Sequence, residues 1–292
     1  MSIFRAACVQ LSTGDDVQRN IRVAVELIRE AAARGASFIA TPENTTLMAA
    51  NGGAKLENSF SEDTDPALPV FTRLAAELRI WLQIGSLAIK LNENKTANRS
   101  FLIGPSGDIV ARYDKIHLFD VTLPDGERYS ESDTVAGGSV AVIADIPDGR
   151  IGLSVCYDVR FPQLYRALAE RDAFLFTVPA AFTETTGKAH WEVLLRARAI
   201  ENGAYVIAPA QTGTHSGGRR TFGHSMIISP WGEVLADAGT ELGVILADIN
   251  PEQSRAARAQ IPSLQHGRRF SIKNEATLAE RRQSAEESPP LD

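Results

Sequence analysis

Residues 3–44, IFRAACVQLSTGDDVQRNIRVAVELIREAAARGASFIATPEN, read as strand, helix and strand in quick succession. Ile3 to Leu11 is an apolar run of strand length. Val17, Ile21, Ala24, Val25 and Ile28 then recur at helical spacing until Gly35 supplies a stop. Ser37 to Ala40 is a second short apolar run, and it delivers Thr41-Pro42-Glu43-Asn44 at its end, where a chain leaving a sheet exposes its side chains. A strand–helix–strand unit of this kind predicts an α/β protein, with polar residues gathered at strand ends.

The alternation continues outward. A loop to about Asp65 leads into a helix over Ala67 to Arg79, then strands over Ile80 to Lys90 and Asn98 to Ile103, closed by the turn Gly104-Pro105-Ser106-Gly107. Val110 to Ser139 holds no periodicity but is dense in charge and aromatics, the composition of a functional loop. Val140 to Ile146 and Arg150 to Val155 read as a hairpin about Pro147-Asp148-Gly149. A helix follows Cys156, with Phe161, Leu164, Tyr165 and Leu168 on one face and Pro162 in its first turn. Phe174 to Val178 is a strand, and Lys188 to Asn202 a helix with Val193, Leu194, Ala197 and Ile200 inward. Strands over Ala204 to Ala210, Phe222 to Ser229, Glu233 to Ala236 and Val244 to Ile249 complete the chain. No linker or composition shift interrupts the series, so 1–272 is expected to be one layered domain and 273–292, rich in Glu, Arg, Ser and Pro, an extended or disordered tail.

Of the 292 residues, 44% are hydrophobic and 23% charged, an ordinary globular composition. A net charge of −6, with basic residues scattered, lacks the footprint of a nucleic-acid binder. Two cysteines, Cys8 and Cys156, make neither a disulfide framework nor a zinc motif. No signal-peptide pattern opens the chain and every apolar run stops short of about 18 residues, so a cytoplasmic protein without a membrane span is expected. Nor does a glycine loop of nucleotide-binding type follow any strand; Gly217-Gly218 sits beside two arginines in an expected hairpin tip.

Cys156 stands between a strand and a helix, where a tight exit exposes the thiol and a helix N-terminus favours the thiolate. Cys8 lies within the first apolar strand and reads as core. A thiol nucleophile needs a base. Among His117, His190, His215, His224 and His266, His190 is the best placed in sequence; a carboxylate with a lysine, Glu43 with Lys115, is the alternative. Read singly, each of these is more readily structural or solvated than catalytic, and both pairings stay open at this point.

Taken together, TPEN (41–44), YDKIHLFD (113–120) and GLSVCYDVRF (152–161) resemble the carbon–nitrogen hydrolases of the nitrilase superfamily, in the family's own order. The likeness continues through AHWEVLLRARAIE (189–201), GHSM (223–226) and PWG (230–232), and covers about 3–270. Thr185 to Trp191 resembles the Nit branch, although Gln163 stands where that branch usually carries Glu.

The resemblance implies a four-layer α-β-β-α sandwich and at least a homodimer. It implies Glu43 as general base and acid, Lys115 as the cation near the oxyanion, Cys156 as nucleophile and Glu131 as an auxiliary carboxylate. The Tyr157 N–H, next after the nucleophile, is the natural second oxyanion donor. For a buried Glu43 the expected pKa is raised by desolvation, with Lys115 limiting the rise. Arg160, Phe182 and Thr186 are expected to receive the α-keto acid end of the substrate; for Arg160 the structural alternative is a salt bridge to Asp158 or another acid, for Phe182 core packing, and for Thr186 an N-cap. His190, Trp191, Glu192 and Trp231 read as scaffold.

The implied activity is hydrolysis of a small α-keto acid ω-amide through a Cys thioester, with water as the second substrate and neither metal nor cofactor. Deaminated glutathione, giving 2-oxoglutarate and Cys-Gly, is the first expectation; α-ketoglutaramate or an N-carbamoyl substrate is the alternative. Tyr157-Asp158 follows Cys156 where nitrilases carry Trp-Glu, which argues against nitriles. Outside catalysis, the rival readings are an inactive oligomeric binding protein and a peroxide-sensing Cys156, for which Cys8 would have to serve as the resolving thiol.

Overall fold

The computed structural model describes residues 2–123 and 126–273, so the expected tail, apart from Lys273, lies outside the described residues. In chain order the first sheet takes β1 (Phe4–Gln10), β2 (Phe38–Ala40), β3 (Trp81–Lys90), β4 (Thr96–Ile103) and β5 (Ile109–Asp114). After a small antiparallel pair, β6 (Asp120–Thr122) and β7 (Arg128–Ser130), the short β8 (Val135–Ala136) adds to β4. The second sheet takes β9 (Ile143–Ile146), β10 (Gly149–Leu153), β11 (Ala173–Thr177) and β12 (Tyr205–Ala208). A ribbon of β13 (Thr212–Thr214) and β14 (Arg220–Phe222) precedes β15 (Met226–Ile228) and β16 (Val234–Asp237), and β17 (Gly243–Ile249) returns to the first sheet beside β1.

The strand orders are β17-β1-β2-β3-β4-β5 and β16-β15-β12-β11-β10-β9. Each sheet has the same plan: three parallel strands, β1-β2-β3 or β10-β11-β12, flanked by antiparallel ones. Side-chain alternation stacks the layers. On β1, Ala6 and Cys8 face the second sheet's core, whereas Ala7 and Val9 meet Ile21, Ala24, Ile28 and Ala31 of α1 (Val17–Ala33) and its neighbour α3 (Leu68–Leu78). Against the second sheet, α4 (Pro162–Ala169) and α5 (Glu184–Asn202) bury Tyr165, Leu168, Trp191 and Leu195. The result is the four-layer α-β-β-α sandwich.

Several local readings change. The aperiodic stretch from Val110 contains most of β5, an edge strand whose outward positions are Val110, Arg112 and Asp114, and the loop before Asp65 contains α2 (Gly52–Glu57). Cys156 opens a single 3₁₀ turn, Cys156–Arg160, and α4 begins only after it, so the α-helix expected directly after the thiol does not start there. The helix expected from Lys188 starts at Glu184, capped by Thr183; Thr186 lies in its first turn and is not its cap. Its buried face is Trp191, Leu195, Arg198, Ala199 and Asn202, while Val193 and Ile200 are 68% and 54% exposed. The final helix α6 (Pro251–Gln260) was not expected: its apolar content is low and its buried side is Pro251, Ser254 and Ala257.

Candidate active site

Glu43 leaves β2, Lys115 leaves β5 and Cys156 leaves β10, and the three line one cavity of about 590 Å³, a volume suited to a small-molecule ligand. Close packing between strand ends brings the two sheets together here. A Cβ at Gly85 would sit 2.0 Å from the Thr41 carbonyl oxygen and 2.4 Å from Pro179 Cβ, so only glycine lets the Glu43 and Pro179 segments approach. Glu43 and Lys115 are almost fully buried.

The carboxylate of Glu43 is held by four groups. Its Oε1 accepts from Lys115 Nζ at 2.9 Å and Asn98 Nδ2 at 2.8 Å, its Oε2 accepts from the Ala181 N–H at 2.8 Å, and the Cys156 thiol hydrogen-bonds to it. Glu131 completes the ring: Oε2 accepts from Lys115 Nζ at 2.8 Å and from the Phe119 N–H at 2.7 Å, and Oε1 accepts from Asn98 Nδ2 at 3.1 Å. One ammonium therefore serves two carboxylates, and one amide on β4 bridges them.

These contacts decide the ionisation states. Burial pushes the Glu43 carboxyl up, but the Lys115 ammonium, with Arg219 and the thiol hydrogen bond, outweighs it and holds Glu43 below the ordinary carboxylate range. The expectation of a raised Glu43 is corrected: desolvation loses to a charge in direct contact. Burial alone would lower Lys115, yet Glu131 and Glu43 more than offset it and raise its pKa. Burial and the neighbouring Glu43 carboxylate push the Cys156 thiol well up, against the smaller opposing pull of Lys115. At rest the constellation is a neutral thiol beside an ionised carboxylate, in place of the thiolate expected from a helix terminus.

The backbone at Cys156 is in the left-handed region, φ 50°, and its N–H donates to Pro179 O at 2.8 Å. A non-glycine residue held so is strained and has to be fixed by its surroundings. Fully buried Asp158 does this, accepting from the Val155 N–H, the Tyr113 hydroxyl and the His117 N–H, with His117 Nδ1 at 2.7 Å.

Among the remaining expected site residues, Glu131, Tyr157, Phe182 and Thr186 line the cavity and Arg160 does not. Arg160 lies with its guanidinium carbon 5.2 Å from the Phe182 ring centre and 5.8 Å from that of Tyr157, on the histidine His190. Its salt bridge to Asp158 does not form, because Asp158 is committed elsewhere. Phe182 is both pocket wall and core, packed on Trp191 at 4.9 Å. None of the five histidines lines the cavity, which leaves the carboxylate–lysine pairing as the one the geometry assembles. Gln163 is exposed on α4, away from the site.

Sequence reasoning missed Asn98, Lys55, Arg219 and the Ala181 N–H. Asn98 carries no signal of its own, since its strand, TANRSFLI, also holds Thr96, Arg99 and Ser100; the others depend on how loops meet. Among the described residues, no group of three or more His, Cys, Asp and Glu side chains is placed to hold a metal ion, and no helix is long and apolar enough to cross a membrane.

Residues 5–259 match the carbon-nitrogen hydrolase family. The chain is 45% identical over 270 residues to a deaminated glutathione amidase of Synechocystis, covering 91% of this chain and 98% of that one. Its structure superposes on the NitFhit protein of C. elegans with a TM-score of 0.86 at 35% identity, covering 92% of this chain and 66% of that longer one. It superposes on Saccharomyces cerevisiae Nit3, a member of the nitrilase superfamily, with a TM-score of 0.80 at 26% identity, covering 89% and 94%. The chain belongs to the carbon-nitrogen hydrolase family, and it is an amidase.

Proposed function

We propose that this amidase hydrolyses the ω-amide of a small α-keto acid, deaminated glutathione foremost, through a thioester on Cys156. The observation that carries this reading is the buried Glu43–Lys115–Cys156 constellation in a cavity large enough for a small peptide-like amide. The similarity to the Synechocystis amidase supports the choice of substrate.

In the proposed mechanism Cys156 Sγ attacks the amide carbonyl while its proton passes to Glu43, the carboxylate beside it. The charge that develops on the carbonyl oxygen is met by Lys115 and the Tyr157 N–H. Glu43 then gives its proton to the departing nitrogen, the C–N bond breaks, and Cys-Gly leaves a thioester behind. Water enters, loses a proton to Glu43 and attacks the thioester; Glu43 returns the proton to sulfur as 2-oxoglutarate departs. Glu131 holds Lys115 in place and balances its charge when Glu43 is protonated. Phe182 and Thr186 shape the acyl side of the cavity, and Arg160, stacked behind Phe182, presents a positive field to the keto acid carboxylate.

The enzyme is proposed to act in the cytoplasm, with 1–272 as one catalytic unit and as at least a homodimer. The exposed Val193 and Ile200 of α5, beside exposed Trp231, supply an apolar face for a second copy. Light scattering of wild type and Ile200→Asp tests the dimer. For the activity, Cys-Gly release from deaminated glutathione is followed, with α-ketoglutaramate and glutamine alongside and Cys156→Ala as blank. The highest kcat/KM on deaminated glutathione supports the reading, turnover of α-ketoglutaramate alone moves the substrate to that ω-amide, and no amide hydrolysis overturns the substrate class.

A further inference from the structure

Beyond the Glu43, Lys115 and Glu131 cluster, the cavity is lined by three more cations that none of the steps above uses: Arg128, exposed at the rim, and the half-buried Lys55 and Arg219. Lys55 projects from α2 and Arg219 from the turn before β14. The two loops meet because Gly217, at φ 80°, has no side chain: a Cβ there would lie 2.6 Å from the Ala50 carbonyl oxygen. Neither cation has a carboxylate within salt-bridge distance among the described residues. Lys55 Nζ reaches only Asn44 Oδ1, at 3.4 Å. Arg219 Nη2 donates to Ala181 O at 2.6 Å and its guanidinium carbon lies 5.2 Å from the Tyr129 ring centre, but its Nε is buried without an acceptor. The other lining carboxylates, Glu127 and Asp133, are exposed at the rim, Glu127 accepting from the Tyr129 hydroxyl.

Two like charges facing one cavity repel each other, and among the described residues no carboxylate is paired with either, so the position favours an anionic ligand. Its place relative to the chemistry says which one. Glu43 returns a proton to the nitrogen that departs, so the leaving group has to lie on the Glu43 side of the scissile bond. Lys55 is on that side, against Asn44, the residue next to Glu43. Arg219 is there as well, close enough to Glu43 to lower its pKa and bonded to Ala181, whose N–H also holds Glu43.

We propose that Lys55 and Arg219 form a carboxylate subsite for the leaving group, binding the terminal carboxylate of the peptide-like amine that hydrolysis releases. This rests on the amidase reading above and deepens it: the site is built for an amide with an anion at both ends. Arg219 offers the carboxylate a planar donor pair and Lys55 a point charge, which together fix the amine so that its nitrogen meets Glu43. A substrate that loses only ammonia leaves this subsite empty.

Both residues also act electrostatically on Glu43 and Lys115, so the readout has to be a ratio of two substrates on one enzyme. The ratio of kcat/KM for deaminated glutathione to that for α-ketoglutaramate is measured in wild type, Arg219→Ala, Arg219→Lys and Lys55→Met. One charge-assisted contact predicts a fall of about tenfold in that ratio for Arg219→Ala, a fall in the same direction for Lys55→Met, and partial recovery in Arg219→Lys. Deaminated glutathione with its terminal carboxylate amidated supplies the second arm: wild type should lose about the same tenfold, and Arg219→Ala should lose little more. A ratio unchanged in both Arg219→Ala and Lys55→Met, with wild type turning over both substrates, overturns the subsite and leaves the amidase reading intact. If wild type hydrolyses neither substrate, that reading fails and takes the subsite with it.

Discussion

The middle of β1 and the end of β10 each carry a cysteine in the same core, and the two thiols have opposite prospects. Cys8 is fully buried, paired across to Ile245 and Ala40, with its Sγ held among backbone groups of the second sheet at Met226 and Ala208. Cys156 is nearly as buried, and burial pushes both thiols above the ordinary range. What separates them is neither exposure nor resting acidity. Cys156 sits on a strained turn beside an ionised carboxylate and an ammonium; Cys8 sits in regular strand with no titratable group against it. Reactivity here belongs to the charge pair that can take and return the proton.

The largest effect tests that contrast directly. Cys156→Ala should lose about 10,000-fold or more in kcat, because no other group can form the thioester. Brief treatment with iodoacetamide, followed by peptide mapping, should alkylate Cys156 in the wild type and leave Cys8 unmodified. Labelling at Cys8 first would break the comparison.

Next comes the pair that makes the difference. Lys115→Met leaves Glu43 and Glu131 facing each other without their shared cation, and stranding buried charges of this kind costs about 3–5 kcal/mol. The pH dependence has a defined sign. Glu43 is lowered by folding, so its contribution is fully present above its ordinary value of 4.5 and is lost as pH falls through the folded value. Lys115 is raised, so its contribution is fully present below 10.5 and is lost as pH rises through the folded value. In Lys115→Met burial is no longer offset and raises the Glu43 carboxyl, so urea titrations of wild type and variant should differ most where that stranded carboxyl is ionised, and the gap should narrow as pH falls and it protonates. A gap that stayed constant across the acid and neutral range would assign the stability to other groups.

A smaller loss is expected from Gly85→Ala, which touches neither cysteine. Its Cβ would press on the Thr41 carbonyl and Pro179, forcing apart the segments that carry Glu43 and the Ala181 N–H. Overpacking predicts a loss of about 1–3 kcal/mol, and a displacement near 1 Å between Glu43 and Cys156 predicts about 100-fold in kcat. Thermal melts and kcat together check it: lost stability with full activity would mean that the strand ends yield without moving the carboxylate.

How far the sequence reveals this arrangement depends on the range of the interactions. The strand, helix and strand from Ile3 to Ala40 are legible because one apolar period decides each, and α1 is held by a local Asp16 cap. The nucleophile's turn is legible too, since an apolar strand stops at Cys156. The buried face of α5 is not: Val193 and Ile200 are as apolar as Trp191 and Leu195, and periodicity alone does not say which stripe faces the sheet. Arg198, counted as solvent by its type, is buried because its Nε donates to Val159 O and its guanidinium stacks near Tyr165. Lys55 and Arg219 reach the cavity only because Gly217 lies on Ala50, a contact across more than 160 residues that no local pattern encodes.

The smallest effect is the sharpest control. Cys8→Ala removes one sulfur from between the sheets, where its Sγ lies 3.6 Å from the Met226 carbonyl oxygen, and leaves a void about the size of a methyl group. A cavity of that kind costs on the order of 1 kcal/mol, felt as a melting temperature lower by a few degrees. The strand end that carries Glu43 is held by Ala181, Asn98 and Lys115, none of which touches Cys8, so kcat and KM should stay within about twofold. If Cys8→Ala instead slowed turnover as Cys156→Ala does, the two thiols would be working together, and the resolving-thiol reading of Cys8 would displace the contrast on which the other predictions rest.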